Sequence, residues 1–146
     1  MSHLGTQLLA SAGLVCVMAL VHAVGVVAIT NALGFKDRTL RLHRVDLSAL
    51  ALSASMALGL FALHMIEISL FAAFYVLVGA MTHFEPALYF STSAYTTLGT
   101  IETSLPDQWR VVGAIEGLIG FLLIGWSTGV FFADMNKLLR EQEDRE

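Results

Sequence analysis

The stretch 95-YTTLGTIE-102 lies between two strongly apolar segments of a mostly aliphatic chain. Hydroxyls and an acid are costly in apolar surroundings unless they find partners. Their placement between two candidate membrane spans therefore asks what they coordinate.

Composition bounds the setting. Of 146 residues, 56% are apolar and only 14% charged, where a soluble domain carries about 25% charged residues. With a mean hydropathy of +0.72 and long uncharged runs, the chain belongs in a bilayer. The net charge of −4 owes much to the acidic end 141-EQEDRE-146. No basic patch interleaved with aromatics is present, so no nucleic-acid partner is expected. The single cysteine, Cys16, excludes an intrachain disulfide. Residues 1–7 lack the basic n-region of a secretory signal, so the apolar run that follows reads as a retained span.

Working outward, the runs predict three spans. Leu8 to Leu33 carries no Asp, Glu, Lys or Arg, and its length of about 39 Å exceeds a ~30 Å core. Leu47 to Ala80 is interrupted by His64 and Glu67, too long for one upright span and too short for two. A single long helix, or a helix with a short break, fits it. The third span runs from Trp109 to Ala133. Seven of the eight Lys and Arg flank one side: Lys36, Arg38, Arg41, Arg44, Lys137, Arg140 and Arg145, with Arg110 alone opposite. The positive-inside rule then makes the protein a multi-pass cell (inner) membrane protein with its N-terminus outside and its C-terminus cytoplasmic.

The connection 81–108 holds the quoted stretch. Pro86 suits the first position of a helix, where its missing N–H costs nothing, and Glu85 sits where negative charge is favourable. A helix over 86–97, about 18 Å long, is too short to span and suits a re-entrant element. Such backbone is tolerated at membrane depth only where protein buries it or water lines it. Entering from outside, it would aim its negative C-terminal end at the membrane centre, favouring a cation there.

Long helix, short helix, Thr-Thr-Leu-Gly, then a Trp-initiated Gly-rich helix resembles the pore module of tetrameric potassium channels. More narrowly, 87-ALYFSTSAYTTLG-99 and 109-WRVVGAIEGLIGFLLIGWSTG-129 look like small bacterial proteins of the ion-channel-2 family. The resemblance covers about Leu47 to Asp134, with Leu8 to Leu33 as an extra span. It implies a fold that is all-α and membrane-integral, with three transmembrane helices, a re-entrant pore helix and filter loop, and a homotetrameric pore. In those terms, residues 1–46 are the N-terminal helix and basic loop, and 47–134 the pore module. Within the module the outer helix is 47–80, the pore helix 86–97, the filter 97–102 and the inner helix 109–133; 135–146 is a cytoplasmic tail.

The family's filter reads T-V-G-Y-G followed by Asp, and its carbonyls replace the hydration shell of the ion. Carried over, Thr97, Leu98 and Gly99 match its first three positions. Thr100 stands for Tyr, Ile101 for the second Gly and Glu102 for Asp. Ile101 is the serious departure, because an ordinary residue in left-handed geometry costs roughly 1–2 kcal/mol, and fourfold repetition multiplies that. Thr100 also lacks a ring to brace the filter. Thr97 to Thr100 are thus the expected ion-binding residues, with an outer half at Ile101 and Glu102 that is wider and wetter. Four Glu102 carboxylates would form a cation-attracting mouth that takes Ca²⁺. A plainer reading of Thr97-Leu98-Gly99 is a capped helix end.

Glu116, inside the third span, is a candidate filter support, since intramembrane acids usually face protein or water. Gly113, Gly117, Gly120, Gly125 and Gly129 suit close helix packing, with Gly120 and Gly125 as candidate gating hinges. His64 and Glu67 share a helix face at i, i+3. They read as an interhelical hydrogen-bond pair, or as the start of a metal site to which His22 could contribute.

The expected function is passive cation conduction by a homotetramer in the lipid bilayer, weakly K⁺-selective or non-selective between K⁺ and Na⁺. No enzymatic activity and no cofactor is expected. Alternatives are a non-conducting channel-like structural or regulatory membrane protein, and a membrane metalloprotein using His64 and Glu67. Neither a ligand-binding domain nor an Arg-rich voltage-sensor helix is visible, so no gating stimulus can be read.

Overall fold

The computed structural model describes residues 2–34, 47–99 and 105–143. Every regular element among them is helical: α1 (Ser2–Leu33), α2 (Leu47–Leu77), α3 (Phe84–Tyr95), a 3₁₀ turn (Asp107–Trp109) and α4 (Arg110–Glu143). Three stretches, Leu4–Leu33, Leu50–Leu77 and Asp107–Asn136, are long and apolar enough to cross a membrane. The chain is an all-α, multi-pass membrane protein by that measure.

Local chemistry sets the helix ends, and it moves several of them from the sequence expectation. α2 is one unbroken helix that stops at Leu77 rather than Ala80. Gly79 takes φ +69°, while Ala80 N–H donates to Tyr75 O at 2.9 Å and Gly79 N–H to Val76 O at 3.1 Å. This paired closure needs a residue tolerant of left-handed geometry, which glycine supplies. α3 occupies 84–95 instead of 86–97, so Pro86 is its third residue and not its first. The shift is harmless, because no N–H of the first turn has an intrahelical partner. α4 continues past Ala133 to Glu143, since 134–143 contains neither Gly nor Pro to stop it.

Contacts between helices fix their directions. His22 meets Glu67, Leu63 packs over Gly25 and Ile29 over Gly59, so positions rise on α1 as they fall on α2. The two helices are antiparallel. α4 runs with α1: Gln7 Oε1 accepts from Val111 N–H at 2.9 Å, and His22 meets Ser127. That first contact also satisfies one of the orphan N–H groups at the start of α4. The end of α1, the start of α2 and the end of α4 therefore share one end of the bundle, where Ser53 Oγ lies 3.1 Å from Met135 Sδ. The starts of α1, α3 and α4 share the other.

Two apolar clusters fill the interior. One gathers Met18, Ile68, Phe71, Tyr75, Ala87, Tyr95 and Val112; the other, nearer the end where α2 begins, gathers Val26, Leu52, Met56, Leu60 and Leu63. His22 separates them along α1 and Glu67 along α2. A buried polar layer thus lies between the two clusters.

Candidate functional site

α3 is wedged between α2 and α4, and glycines let it come close. A Cβ on Gly113 would sit 3.0 Å from Phe90, one on Gly117 3.1 Å from Ala94 O, and one on Gly120 2.4 Å from Tyr95 O. Position rises together on both helices, so α3 runs alongside α4 and ends level with Gly120. That level is ten residues, about 15 Å, into α4. Leu105 is back beside Gly113, at the level where Phe90 packs. Gly125 and Gly129 face open space in the chain. Of the two hinge candidates, Gly120 therefore has a packing reason to be glycine, and Gly125 has no such contact among the described residues.

The end of α3 is strained. Thr97 N–H donates to Ala94 O at 2.9 Å and Gly99 N–H to Ser93 O at 3.2 Å. Thr97 is the one non-glycine among the described residues with positive φ, at 61°, and Gly99 follows at 73°. Left-handed geometry is a genuine outlier for a β-branched residue and costs roughly 1–2 kcal/mol. Thr97, Leu98 and Gly99 are all exposed, Leu98 to 81%. Thr97 and Gly99 border an open concavity of about 500 Å³ together with Ala94, Gly113, Ala114, Gly117, Leu118 and Phe121. Thr100, Ile101 and Glu102 lie outside the described residues.

Two buried polar clusters hold α3 to its neighbours. The upper one centres on Glu116, which is fully buried. Tyr75 on α2 donates to its Oε2 at 2.6 Å, and Ser91 on α3 is hydrogen-bonded to its Oε1. The same Ser91 hydroxyl lies 2.9 Å from Ile68 O. One acid on α4 thereby ties together α2, α3 and α4.

The lower cluster centres on Glu67, also fully buried. Tyr95, the last residue of α3, donates its phenol proton to Glu67 Oε2. His64 Nδ1 lies 3.0 Å from that oxygen and 2.9 Å from Tyr95 Oη. His22 of α1 brings its Nδ1 to 2.9 Å from the other carboxylate oxygen, while its Nε2 lies 3.4 Å from Ser127 Oγ on α4. The two imidazoles stack at a centroid distance of 5.5 Å, and Trp126 lies against His22 at 5.2 Å. One ligand atom each from His22, His64 and Glu67 all fall within 4.8 Å of one another. All four helices contribute to this layer.

His64, Glu67 and Glu116 are legible as polar residues in apolar runs; Tyr75, Ser91, Tyr95 and Ser127 stand in no such contrast to their neighbours. For Ser91 and Tyr95 a weaker signal exists: they are four apart in α3 and so share a face. Tyr75 and Ser127 carry no comparable local mark. No protein-family model, curated protein or solved structure matches the chain.

Proposed function

We propose that the chain is one subunit of a homotetrameric pore-loop cation channel, with α2 as outer helix, α3 as pore helix, 97–102 as filter and α4 as inner helix. The observation that carries this reading is where Phe90, Tyr95 and Leu105 sit along α4. α3 descends beside α4 from Gly113 to Gly120 and stops, and Leu105 lies again at Gly113. A helix of 12 residues that ends midway along a long apolar neighbour supports a re-entrant reading, in which its C-terminal carbonyls present partial negative charge at mid-depth.

Three further features support it. The strained Thr97 and the left-handed Gly99 stand at the turn of this loop, beside a small-residue concavity on α4. A single re-entrant loop cannot enclose an axial pore, so closed cyclic symmetry is required. The sequence likeness of TTLG to a potassium-channel filter supplies the fold number, four. Lys36, Arg38, Arg41 and Arg44 follow α1 in the sequence, and Lys137 and Arg140 fall near the end of α4, opposite Arg110 at its start; by the positive-inside rule this favours an N-terminus outside.

In this reading Thr97 to Gly99 supply hydroxyl and carbonyl ligands to partly dehydrated cations, while Thr100 and Ile101 leave the outer sites unformed. K⁺ and Na⁺ both pass with poor discrimination. Purified protein reconstituted in liposomes tests this under bi-ionic K⁺, Na⁺ and Ca²⁺ gradients. Expected is cation flux with a K⁺/Na⁺ permeability ratio near one; absence of any flux from a tetramer would overturn conduction, and strong K⁺ selectivity would overturn the account of Ile101.

A further inference from the structure

We propose that His22, His64 and Glu67 form an interior binding site for one divalent first-row transition ion of the zinc–iron class, with Tyr95 Oη as fourth ligand.

The geometry comes first. Both imidazoles aim Nδ1 at the same carboxylate, one per oxygen, at 2.9 and 3.0 Å, and Tyr95 Oη reaches the second oxygen and His64 together. Zinc bonds of ~2.0–2.1 Å in a tetrahedron separate neighbouring ligand atoms by about 3.3 Å. The ligand atoms of His22, His64 and Glu67 already lie within 4.8 Å, so shifts of about an ångström or less by side chains alone complete the coordination. Two imidazoles and a carboxylate are a donor set that borderline divalent ions favour.

The surroundings fit as well. A histidine ligand commonly donates its other N–H to an outer partner, which fixes the tautomer. Ser127 Oγ, 3.4 Å from His22 Nε2, stands in that position. On binding, each imidazole offers its Nδ1 lone pair and carries its proton on Nε2, and the Tyr95 phenol releases its proton to solvent. Dication, carboxylate and phenolate then sum to zero charge. Neutral imidazoles alone leave the Glu67 carboxylate with hydrogen bonds but no counter-charge, in a layer flanked by apolar clusters where isolated charge is expensive. His64, half-buried where its two partners are fully buried, is the accessible edge for entry. The ion would join α1, α2 and the last residue of α3, two residues before the strained Thr97.

Metal binding here does not depend on conduction, and its test needs no current. Full-length protein in detergent is stripped with a chelator, titrated with Zn²⁺ or Co²⁺, desalted and analysed for metal per chain. Expected is one Zn²⁺ per chain, a Zn²⁺-dependent rise in melting temperature, and visible absorption bands of four-coordinate Co²⁺ that Zn²⁺ abolishes. These wild-type readouts hold whatever the variants do. H22Q and H64Q should lose the bands, Ser127→Ala should weaken binding by about 10–100-fold as an outer partner does, and His83→Gln should change nothing. Wild-type protein that keeps no metal and shows no Co²⁺ bands overturns the site, leaving a hydrogen-bonded cluster. Uptake that survives unchanged in folded H22Q overturns it equally, by locating the metal elsewhere.

Discussion

Replacing Glu116 by Gln should be nearly silent, whereas Glu116→Ala should be among the most damaging changes in the chain. Ser91 has one hydroxyl proton, yet its oxygen stands within hydrogen-bond reach of both Ile68 O and Glu116 Oε1. With an ionised Glu116 the one Ser91 proton is shared between the two acceptors; two full hydrogen bonds form when Glu116 carries a proton on Oε1 and donates it to Ser91, which donates onward to Ile68 O, and that is the state expected here. Tyr75 donates to the free oxygen, Oε2. Gln reproduces this pattern, its amide N–H replacing the acid proton and its oxygen accepting from Tyr75. The remaining amide hydrogen has no mapped partner, so a loss of about 1 kcal/mol is expected. Ala strips Tyr75 of its buried acceptor, at ~1–3 kcal/mol, and opens a cavity between α2, α3 and α4 worth a further ~2 kcal/mol or more. The total is about 3–5 kcal/mol. Denaturant unfolding of detergent-solubilised protein, with size-exclusion profiles of the assembly, measures the difference. Infrared spectra should show the carbonyl stretch of a protonated acid that Glu116→Gln removes. If Gln proves as harmful as Ala, the site requires an ionised carboxylate and the proton count is wrong.

Gly120→Ala should cost about 1–3 kcal/mol, because its Cβ would meet the Tyr95 carbonyl at 2.4 Å, while Gly125→Ala should be neutral or stabilising by up to ~1 kcal/mol in the same unfolding assay; equal effects would remove the packing reason for Gly120. In a Cys16→Ala background, which removes an exposed native thiol, single cysteines at Ser2 and Thr103 should label from outside and one at Thr39 only from inside. External labelling at Thr39 reverses the orientation. Glu102→Gln should lower cation conductance most at low ionic strength, where the Debye length grows from ~10 Å at 0.1 M to ~30 Å at 0.01 M; an equal effect at all salt concentrations places the carboxylate away from the mouth. Thr100→Tyr with Ile101→Gly should raise K⁺ over Na⁺ preference at least tenfold, only ~1.4 kcal/mol, with Ile101→Gly alone doing less. Reversal potentials unchanged in the double variant would show that the outer half is not what limits selectivity.

Hydropathy made the three long helices legible, because a run of 26 residues without Asp, Glu, Lys or Arg matches the hydrocarbon thickness and leaves no polar face for water. Their ends were harder to read, since membrane thickness limits a span and not a helix: α4 simply continues to Glu143. Gly79 could have marked the end of α2, being the last glycine before the 81–108 connection. Thr97 could not have been read as the left-handed residue that ends α3, since its side chain argues against that geometry. The polar layers divide in the same way. Glu67 and His64, three residues apart, announce each other within one helix. His22 is 45 residues from Glu67, and the pair follows only once α1 and α2 are known to be antiparallel with Gly25 opposite Leu63. Ser91 and Tyr75 look like ordinary hydroxyls until the packing of α3 and α2 against α4 brings both to Glu116.

Both buried clusters act on the same short element, and their positions account for so polar an interior. α3 is 12 residues long, too short to be held by its own helical propensity. Glu116 grips it at Ser91, and Glu67 grips it at Tyr95, one turn later and at its last residue. Thr97, two residues beyond, keeps a conformation that costs roughly 1–2 kcal/mol. Backbone strain of that kind persists only where neighbouring structure over-determines it. The neighbours are specific: Gly120 accommodates the Tyr95 carbonyl on one side, and the Glu67–His64 pair fixes the Tyr95 hydroxyl on the other. An apolar replacement of either cluster could fill the same volume and be as stable. It would not fix the rotation of α3 about its axis, and that rotation decides which way Thr97 presents its hydroxyl and carbonyl. Two carboxylic acids buried at bilayer depth thus act through the direction they impose on the residues that follow Tyr95.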